Sequence, residues 1–567
     1  MSGNMIIDGK KVPYSNQKNI LTVIRESGID LPTFCYHSEL SIYGACRMCT
    51  VETSKGEIIA TCSEKPKDGL EIYTNSPRIR KYRKMILELL LANHDRDCTT
   101  CERTGRCQLQ NLAKRYGIKS IRFDQIFNEE DDEHIDNSRP SITRNPNKCI
   151  KCGDCVMVCE DVQGVGAIGF VSRGSDVQIK PAFNKNLAES NCVDCGQCRI
   201  VCPTGAIRIN NETNKVWDAL YDKQKRVVAQ VAPAVRVALG EEFGKNPGEI
   251  TIGKIVAVLK KLGVEEVYDT TLAADLTVME ESNEFIEKFT KGEKLPLYTS
   301  CCPAWVKFAE NKYPDMVNNI SSCKSPQQMF GTVLREHYNE TDAKDGKDTV
   351  ILSIMPCTAK KAEAAREEFI HDGQREIDVV LTTQELAIMI KEAGIDFDNL
   401  EEEAMDMPFG LGSGAGVIFG TTGGVMEAVL RRVLKGKYGK DDCEIIYNSV
   451  RGLDSVKEAS VFVDGSEIKI AVVHGLKNAD NLIKQINNNE KHYDLVEVMA
   501  CNGGCVAGGG QPVPKMITKQ TRALRAKGLY NLDKSNQIKN SEDNYIVKVI
   551  YDGLLKDKKH KLHVHKH

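Results

Sequence analysis

Two stretches, CIKCGDCVMVC (149–159) and CVDCGQCRIVCP (192–203), share one spacing, C-x-x-C-x-x-C-x-x-x-C. Thiolates at that spacing hold cubane iron–sulfur clusters, and the fourth cysteine of each run ligates the cluster of the other run. Cys149, Cys152, Cys155 and Cys202 are therefore expected to hold one 4Fe–4S cluster, and Cys192, Cys195, Cys198 and Cys159 a second. Pro203 follows the second run, whereas Glu160 follows the first, a difference at the turn and not in the ligand set. Zinc is the rejected alternative for this doubled pattern.

Two more groups precede them. Cys35, Cys46, Cys49 and Cys62 are separated by ten, two and twelve residues. Four thiolates around a tight C-x-x-C suit a 2Fe–2S cluster, with structural zinc as the competing reading. In HDRDCTTCERTGRC, His94 stands four residues before the trio Cys98, Cys101 and Cys107. One imidazole and three thiolates suit either zinc or a third 4Fe–4S cluster; we take the cluster, with the neutral imidazole tuning its potential. Four clusters within 209 residues describe an electron wire, which exchanges single electrons and does little chemistry alone. The reaction centre must lie further along.

Fifteen of the 22 cysteines belong to this wire. The other seven, Cys301, Cys302, Cys323, Cys357, Cys443, Cys501 and Cys505, fall in TSCCPAW, ISSCKSP, MPCTAKKAE, DDCEI and MACNGGC. TSCCPAW, MPCTAKKAE and MACNGGC resemble the three signature motifs of iron–iron hydrogenases, and the N-terminal cluster order resembles that of clostridial ferredoxin hydrogenases. The resemblance implies an H-cluster, a 4Fe–4S cubane bridged to a two-iron unit with carbon monoxide, cyanide and azadithiolate ligands. By position, Cys302, Cys357, Cys501 and Cys505 match the cubane ligands, with Cys505 bridging. Lys360 matches a lysine that donates to a cyanide, and Met355, Met499 and Gln327 match residues lining the two-iron unit. Ala232 and Pro233, in QVAPAVR, match the loop over the other cyanide, with Ala234 where serine is common. Cys301, Glu281, Ser321 and Glu284 match the family's proton relay. Asn502 stands where proline is usual, and Ala304 where glycine is frequent.

The residues themselves support parts of that assignment. Thiolates are soft enough to couple iron centres, and a thiol of ordinary pKa near 8.5 is a workable first proton station. In MEESNE, Glu281 and Glu284 lie three apart, on one helical face. Gly503, Gly504 and Gly508–Gly510 suit a loop whose backbone approaches a bulky cofactor. Lys361 reads as a surface charge, and Cys323 and Cys443 as inert thiols. Three alternatives belong to other classes: an electron-transfer subunit of a respiratory complex or formate dehydrogenase, an iron–sulfur assembly protein, and a hydrogen sensor. The first lacks TSCCP and MPC-type segments, and the retained Cys301 and Lys360 weigh against the other two.

The elements that must position these residues are of two textures. Up to residue 78, MIID, a turn at Gly9 and KVPYS form a hairpin, NILTVIRES a helix capped by Asn19, and CTVET, EIIATCS and LEIYT short strands. This reads as a β-grasp 2Fe–2S ferredoxin-like domain. A small helical His/Cys₃ domain (79–126) begins at Ser76-Pro77, with an apolar stripe of Met85, Leu89 and Ala92 running to His94. Residues 127–140 form an acidic linker opening a 2x4Fe–4S ferredoxin-like domain (127–209). From 210 to 567, apolar runs VVAQVA, LPLY, VILSIM, DVVLT, IKIAVV and DLVEVM alternate with helical patterns. That alternation predicts a large α/β catalytic domain with parallel-sheet lobes around a buried cofactor. Cys301, Cys357 and Cys501 each follow a strand, where ligands of α/β sheets bind. The tail KDKKHKLHVHKH reads as a frayed, solvated end rather than a metal site.

With 567 residues the chain holds several domains, and its 41% hydrophobic content is ordinary. A net charge of −3 gives no reason to expect nucleic acid or an anionic membrane. MSGNMIIDGK has no secretion signal, and MILELLLA is too short to span a bilayer. The expected setting is a reducing cytoplasm and a monomer. Its partners are ferredoxin or flavodoxin, H2 and protons, and maturation proteins for the two-iron unit.

Overall fold

The computed structural model describes residues 2–124, 135–371, 373–435, 440–463, 465–513 and 517–564. Gly3–Ile7 and Lys10–Tyr14 form the expected antiparallel hairpin. Gly3–Ile7 pairs in parallel with Glu71–Tyr73, and Thr50–Thr53 and Ile58–Ala60 complete a five-stranded mixed sheet. The helix Ile20–Glu26 crosses it; the Asn19 side chain accepts from the Thr22 N–H and so satisfies one free helix-end donor. Ile20, Leu21 and Ile24 pack on Met5, Ile7, Val51 and Ile72.

Ser76 caps the next helix, Pro77–Ala92, with proline in its first turn. Of the apolar stripe, Ala92 is buried, but Met85 and Leu89 are exposed, and Ile79, Arg83 and Leu87 are buried in their place. Arg83 turns inward because its guanidinium donates to the Met48 and Thr50 carbonyls, 3.0 and 2.7 Å away, and so ties this helix to the sheet. The expected linker 127–140 lies outside the described residues up to 134. From Asp136 onward it is bound structure: Asp136 and Arg144 exchange backbone hydrogen bonds, and the Asp136 carboxylate accepts from the Leu187 N–H at 2.8 Å. The paired strands Ile142–Arg144 and Ile207–Ile209 close the unit that carries the two repeated cysteine runs.

Two four-stranded sheets build the remainder. In one, Glu266–Asp269, Lys225–Val231, Asp348–Met355 and Val379–Thr382 lie side by side, all parallel. In the other, Leu297–Tyr298, Leu495–Met499 and Ser466–His474 are parallel, but Val456–Val463 runs antiparallel along the edge. The edge strand alternates buried and exposed residues, as a strand covered on one face does, whereas Leu495–Met499 is buried throughout. The long helix Thr270–Lys291 is capped by the Asp269 carboxylate at its start and Gly292 in the left-handed region at its end. Among the described residues no helix is long and apolar enough to cross a membrane.

Two expectations about charge and termini are overturned. Lys361 is buried, not on the surface: its ammonium meets Glu212 at 2.9 Å, Glu385 at 3.0 Å and the Val380 carbonyl at 2.6 Å. The C-terminal segment is docked up to Val564. Leu562 is fully buried, the Val564 N–H donates to the Ser322 carbonyl, and the Lys324 N–H donates to the Leu562 carbonyl. Backbone pairing and an anchoring leucine hold a lysine-rich tail that composition alone marks as solvated. Residues 565–567 lie outside the described residues.

Candidate active site

The strand ends converge. Leu297–Tyr298, Asp348–Met355 and Leu495–Met499 stop just before Cys301-Cys302, Cys357 and Cys501. These cysteines, with Cys505, line one cavity. Cross-links at the strand ends set the loops: the Thr299 hydroxyl accepts from the Val498 N–H at 3.3 Å, and the Cys302 sulfur from the Ala500 N–H at 3.5 Å. Trp305, fully buried, donates its indole N–H to the Thr299 carbonyl at 3.1 Å and fixes the TSCCPAW turn. The adjacent cysteines point into different surroundings. Cys302 packs with Trp305, Cys357 and Ala500, and Cys301 with Ala274, Val278 and Met499.

Ala232, Pro233, Gln327, Met355, Lys360 and Met499 line the same cavity. The Gln511 amide donates to the Ala234 carbonyl at 2.9 Å, so this loop is held by its backbone although Ala234 lacks a hydroxyl. Lys360 is held by Glu363, at 2.9 and 3.1 Å, and by the Cys301 carbonyl at 3.3 Å. Glu363 also accepts from Ser325 and from Gln327, both at 3.0 Å. Sequence reasoning missed Glu363, although its place three residues after Lys360 on one helix is a signal for an ion pair.

The expected relay residues also meet. Glu281, on the long helix, is fully buried; burial pushes its carboxyl up to about 8, and the neighbouring Glu284 adds to the rise. Burial and Glu281 together push the Cys301 thiol well up. The Ser321 hydroxyl donates to the Glu284 carboxylate at 2.8 Å. At the outer end, Glu284 pairs with Lys288 at 2.9 Å.

On the other side of the cavity lies the cysteine-rich region. Cys195 lines the cavity itself, and the Gln197 amide donates to the Cys501 sulfur at 3.2 Å. The Thr358 hydroxyl donates to the Asp194 carbonyl at 2.8 Å, and Arg199 to the carbonyls of Gly509 and Gln511. Gly508 lines the cavity itself, and it and Gly509 have a further reason to lack a side chain. A Cβ on Gly508 would lie 2.2 Å from the Pro356 oxygen, and one on Gly509 2.5 Å from the Cys195 oxygen. They let protein backbone approach protein backbone, and so press the two cysteine loops together.

Further out, Cys149, Cys155, Cys159, Cys192, Cys198 and Cys202 share one apolar cluster. Cys152 packs with Cys35, Cys46 and Cys107 in another. Cys35, Cys46, Cys49 and Cys62 lie within electrostatic range of one another, as do Cys98, Cys101 and Cys107. His94 is buried and its Nδ1 has no hydrogen-bond partner, which suits a ligand atom. Burial lifts the Cys149 thiol to about 11 and those of Cys192 and Cys357 to about 12. Thiols crowded together in low dielectric become thiolates only beside a strong positive charge, so these donor sets fit iron clusters. The Cys323 thiol is buried, while the side chain of Cys443 lies outside the described residues.

Known proteins resemble this chain. Residues 225–509 match the family profile described as iron only hydrogenase large subunit, C-terminal domain. The NADP-reducing hydrogenase subunit HndD of Solidesulfovibrio fructosivorans is 40% identical over 97% of this chain and 95% of its own length. The chain belongs to the iron–iron hydrogenase family. Iron hydrogenase 1 of Clostridium pasteurianum is 36% identical, with 97% and 96% covered. The solved hydrogenase HydA1 of Chlamydomonas reinhardtii is 37% identical and matches 63% of this chain and 98% of its own, with a TM-score of 0.54. In this hydrogenase, further profiles match a 2Fe–2S domain at 4–77, an NADH-ubiquinone oxidoreductase-G iron–sulfur region at 83–122 and a 4Fe–4S dicluster domain at 148–206. Residues 519–567 match an iron hydrogenase small subunit. Iron–sulfur clusters of both types and an H-cluster are the cofactors of such a chain.

Proposed function

We propose that this hydrogenase catalyses the reversible reaction 2H⁺ + 2e⁻ ⇌ H2. Electrons pass through one 2Fe–2S and three 4Fe–4S clusters held by units 1–78, 79–126 and 127–209, and the reaction takes place in the unit 210–567. The observation that carries the reading is the single cavity in which Cys302, Cys357, Cys501 and Cys505 meet Cys301 and Lys360, with Cys195 at its wall. The first four residues would hold the H-cluster, Cys505 as the bridging thiolate; when bound, that group supplies the centre at which the H–H bond is made or broken.

The protein's own residues do the rest. Cys301 holds a proton on Sγ facing the cavity, and Glu281, Ser321 and Glu284 pass it outward or inward, since one path serves both directions. Glu281 suits this because both of its protonation states are accessible near neutral pH. Lys360 keeps its ammonium aimed by Glu363 and offers a donor to an anionic ligand. Ala232, Pro233, Met355 and Met499 present an apolar wall that excludes water.

Hydrogen evolution from reduced viologen by anaerobically matured protein tests the activity. Protein carrying a complete two-iron unit that makes no hydrogen would sink it. Cys301→Ser separates the two cysteines: infrared carbonyl and cyanide bands persist while most turnover is lost. Loss of those bands would make Cys301 a ligand.

Ferredoxin or flavodoxin is the electron partner in this reading, in a reducing cytoplasm. A second reading, that a partner subunit links the chain to NADP, has the 97% coverage by HndD in its favour. Turnover of the isolated chain with reduced ferredoxin supports the first reading. NADP-linked turnover that appears only with added subunits supports the second.

A further inference from the structure

At the outer end of the relay, three elements bring together three side chains of different chemistry. Glu284 comes from the long helix, Cys323 from the loop after Asn319, and His563 from the docked C-terminal segment. Their ligand atoms all lie within 4.8 Å of one another. The Cys323 sulfur is 3.9 Å from a Glu284 oxygen and 4.0 Å from His563 Nδ1, too long for good hydrogen bonds. We propose that Glu284, Cys323 and His563 form a binding site for a zinc-class divalent ion, and that its occupation closes the proton outlet.

Geometry and chemistry both favour that ion. Tetrahedral zinc, with sulfur at about 2.3 Å and nitrogen or oxygen at about 2.0 Å, sets its ligands about 3.5 Å apart. The two separations to the Cys323 sulfur need to close by only about half an ångström. A thiolate, a carboxylate and an imidazole are a mixed soft and hard set of the kind zinc takes, and the two anions balance its charge.

The surroundings are those of a built site. His563 Nε2 lies 3.2 Å from the Glu280 carboxylate, which favours the tautomer with its proton on Nε2 and leaves Nδ1, on the side of Ser322 and Cys323, as the acceptor. Glu280 is itself held by the Tyr551 hydroxyl. Lys288 pairs with Oε1 of Glu284 at 2.9 Å, while Oε2, which accepts from the Ser321 hydroxyl at 2.8 Å and the Ser322 N–H at 3.0 Å, is the oxygen on the Cys323 side. The Ser322 hydroxyl, 2.9 Å from His563 Nδ1 and 3.2 Å from Glu284, stands where a fourth ligand or a water would be placed. Cys323 is 1% exposed, but the His563 side chain is 26% exposed and borders a surface cleft with Glu336, His371 and His560, so an ion can reach it.

The consequence rests on the relay reading above. Glu284 Oε2 accepts from the Ser321 hydroxyl, and an ion on that oxygen keeps the carboxylate unprotonated and unable to pass a proton on. Zinc should therefore slow hydrogen evolution and oxidation alike.

The test uses holoenzyme with all clusters, Zn²⁺ added and excess removed by desalting. One zinc is expected to stay bound, and zinc-edge X-ray absorption, which iron does not obscure, should show one sulfur near 2.3 Å with nitrogen and oxygen near 2.0 Å. Turnover should fall and return with chelator, while the infrared bands of the cofactor stay unchanged. His563→Ala and, independently, Cys323→Ser should raise the zinc concentration for half-inhibition at least tenfold, measured as a ratio to each variant's own uninhibited rate. Glu280→Gln should weaken binding about 10- to 100-fold. No retained zinc, or the same ligation and inhibition in both His563→Ala and Cys323→Ser, overturns the site. Zinc held with the expected ligation but without effect on turnover overturns the closing of the outlet and with it the role of Glu284, while the hydrogenase reading stands on its own assay.

Discussion

Glu281→Gln is the sharpest probe of the proton path. Glutamine keeps the size of the side chain and its burial, but it cannot gain and lose a proton. The buried carboxyl is raised to about 8, so at pH 7 its deprotonated form lies only about 1.4 kcal/mol uphill. An ordinary carboxyl near 4.5 would have to climb about 3.4 kcal/mol to be protonated at the same pH. A relay station must visit both forms in each cycle. The raised pKa therefore limits the population penalty to about tenfold instead of several hundredfold. Removing the station should lower turnover about 10²- to 10⁴-fold in both directions, with the cofactor infrared bands intact. The assays are hydrogen evolution from reduced viologen and infrared difference spectra of the carboxyl stretch against pH. The wild type should show a protonated carboxyl that disappears near pH 8 and is missing from the variant. A variant that keeps more than about a tenth of wild-type turnover refutes the path. A carboxyl that titrates near its ordinary value refutes the argument from burial.

The same group makes stability depend on pH. Its folded pKa, about 8, lies above the unfolded value of 4.5, so its contribution is complete below pH 4.5 and is lost as pH rises through 8. The loss reaches about 5 kcal/mol, and the gap between wild type and Glu281→Gln in denaturant midpoint should change across pH 5–9 in that sense. Lys361→Met strands the buried Glu385 without its cation and should cost about 3–5 kcal/mol in urea unfolding; an unchanged midpoint would show that the pair is not coupled to folding. Gly509→Ala pushes a methyl against the Cys195 carbonyl and should slow ferredoxin-linked turnover several-fold. Hydrogen–deuterium exchange within the cavity should persist in that variant, and equal losses in both would place the damage at the catalytic loop instead.

The parts legible in the sequence are those set by local chemistry. Cysteine runs mark iron–sulfur domains by spacing, as the matching 2Fe–2S and 4Fe–4S profiles agree, and apolar runs such as VILSIM and DLVEVM become strands because a sheet buried on both faces demands little else. The diverging Cys301 and Cys302 are readable for the same reason, since adjacent side chains leave an extended backbone in opposite directions. What could not be read depends on partners far away in the chain. Lys361 and Lys360 are neighbours of the same type, yet the cation of one meets Glu212, 149 residues earlier, and that of the other a glutamate one helical turn on. Nothing local separates them. The buried face of Pro77–Ala92 includes Arg83, which no local pattern marks, because its two carbonyl partners lie 35 and 33 residues earlier. His563 is the extreme case: four histidines in a lysine-rich tail carry no periodic signal, and only the pairing of Val564 with Ser322 brings one of them beside Cys323 and Glu284. The cysteine-rich units were legible because their cysteines are close in sequence. The proposed proton path was legible as far as Glu284, but not the neighbour His563, which comes from the other end of the unit 210–567.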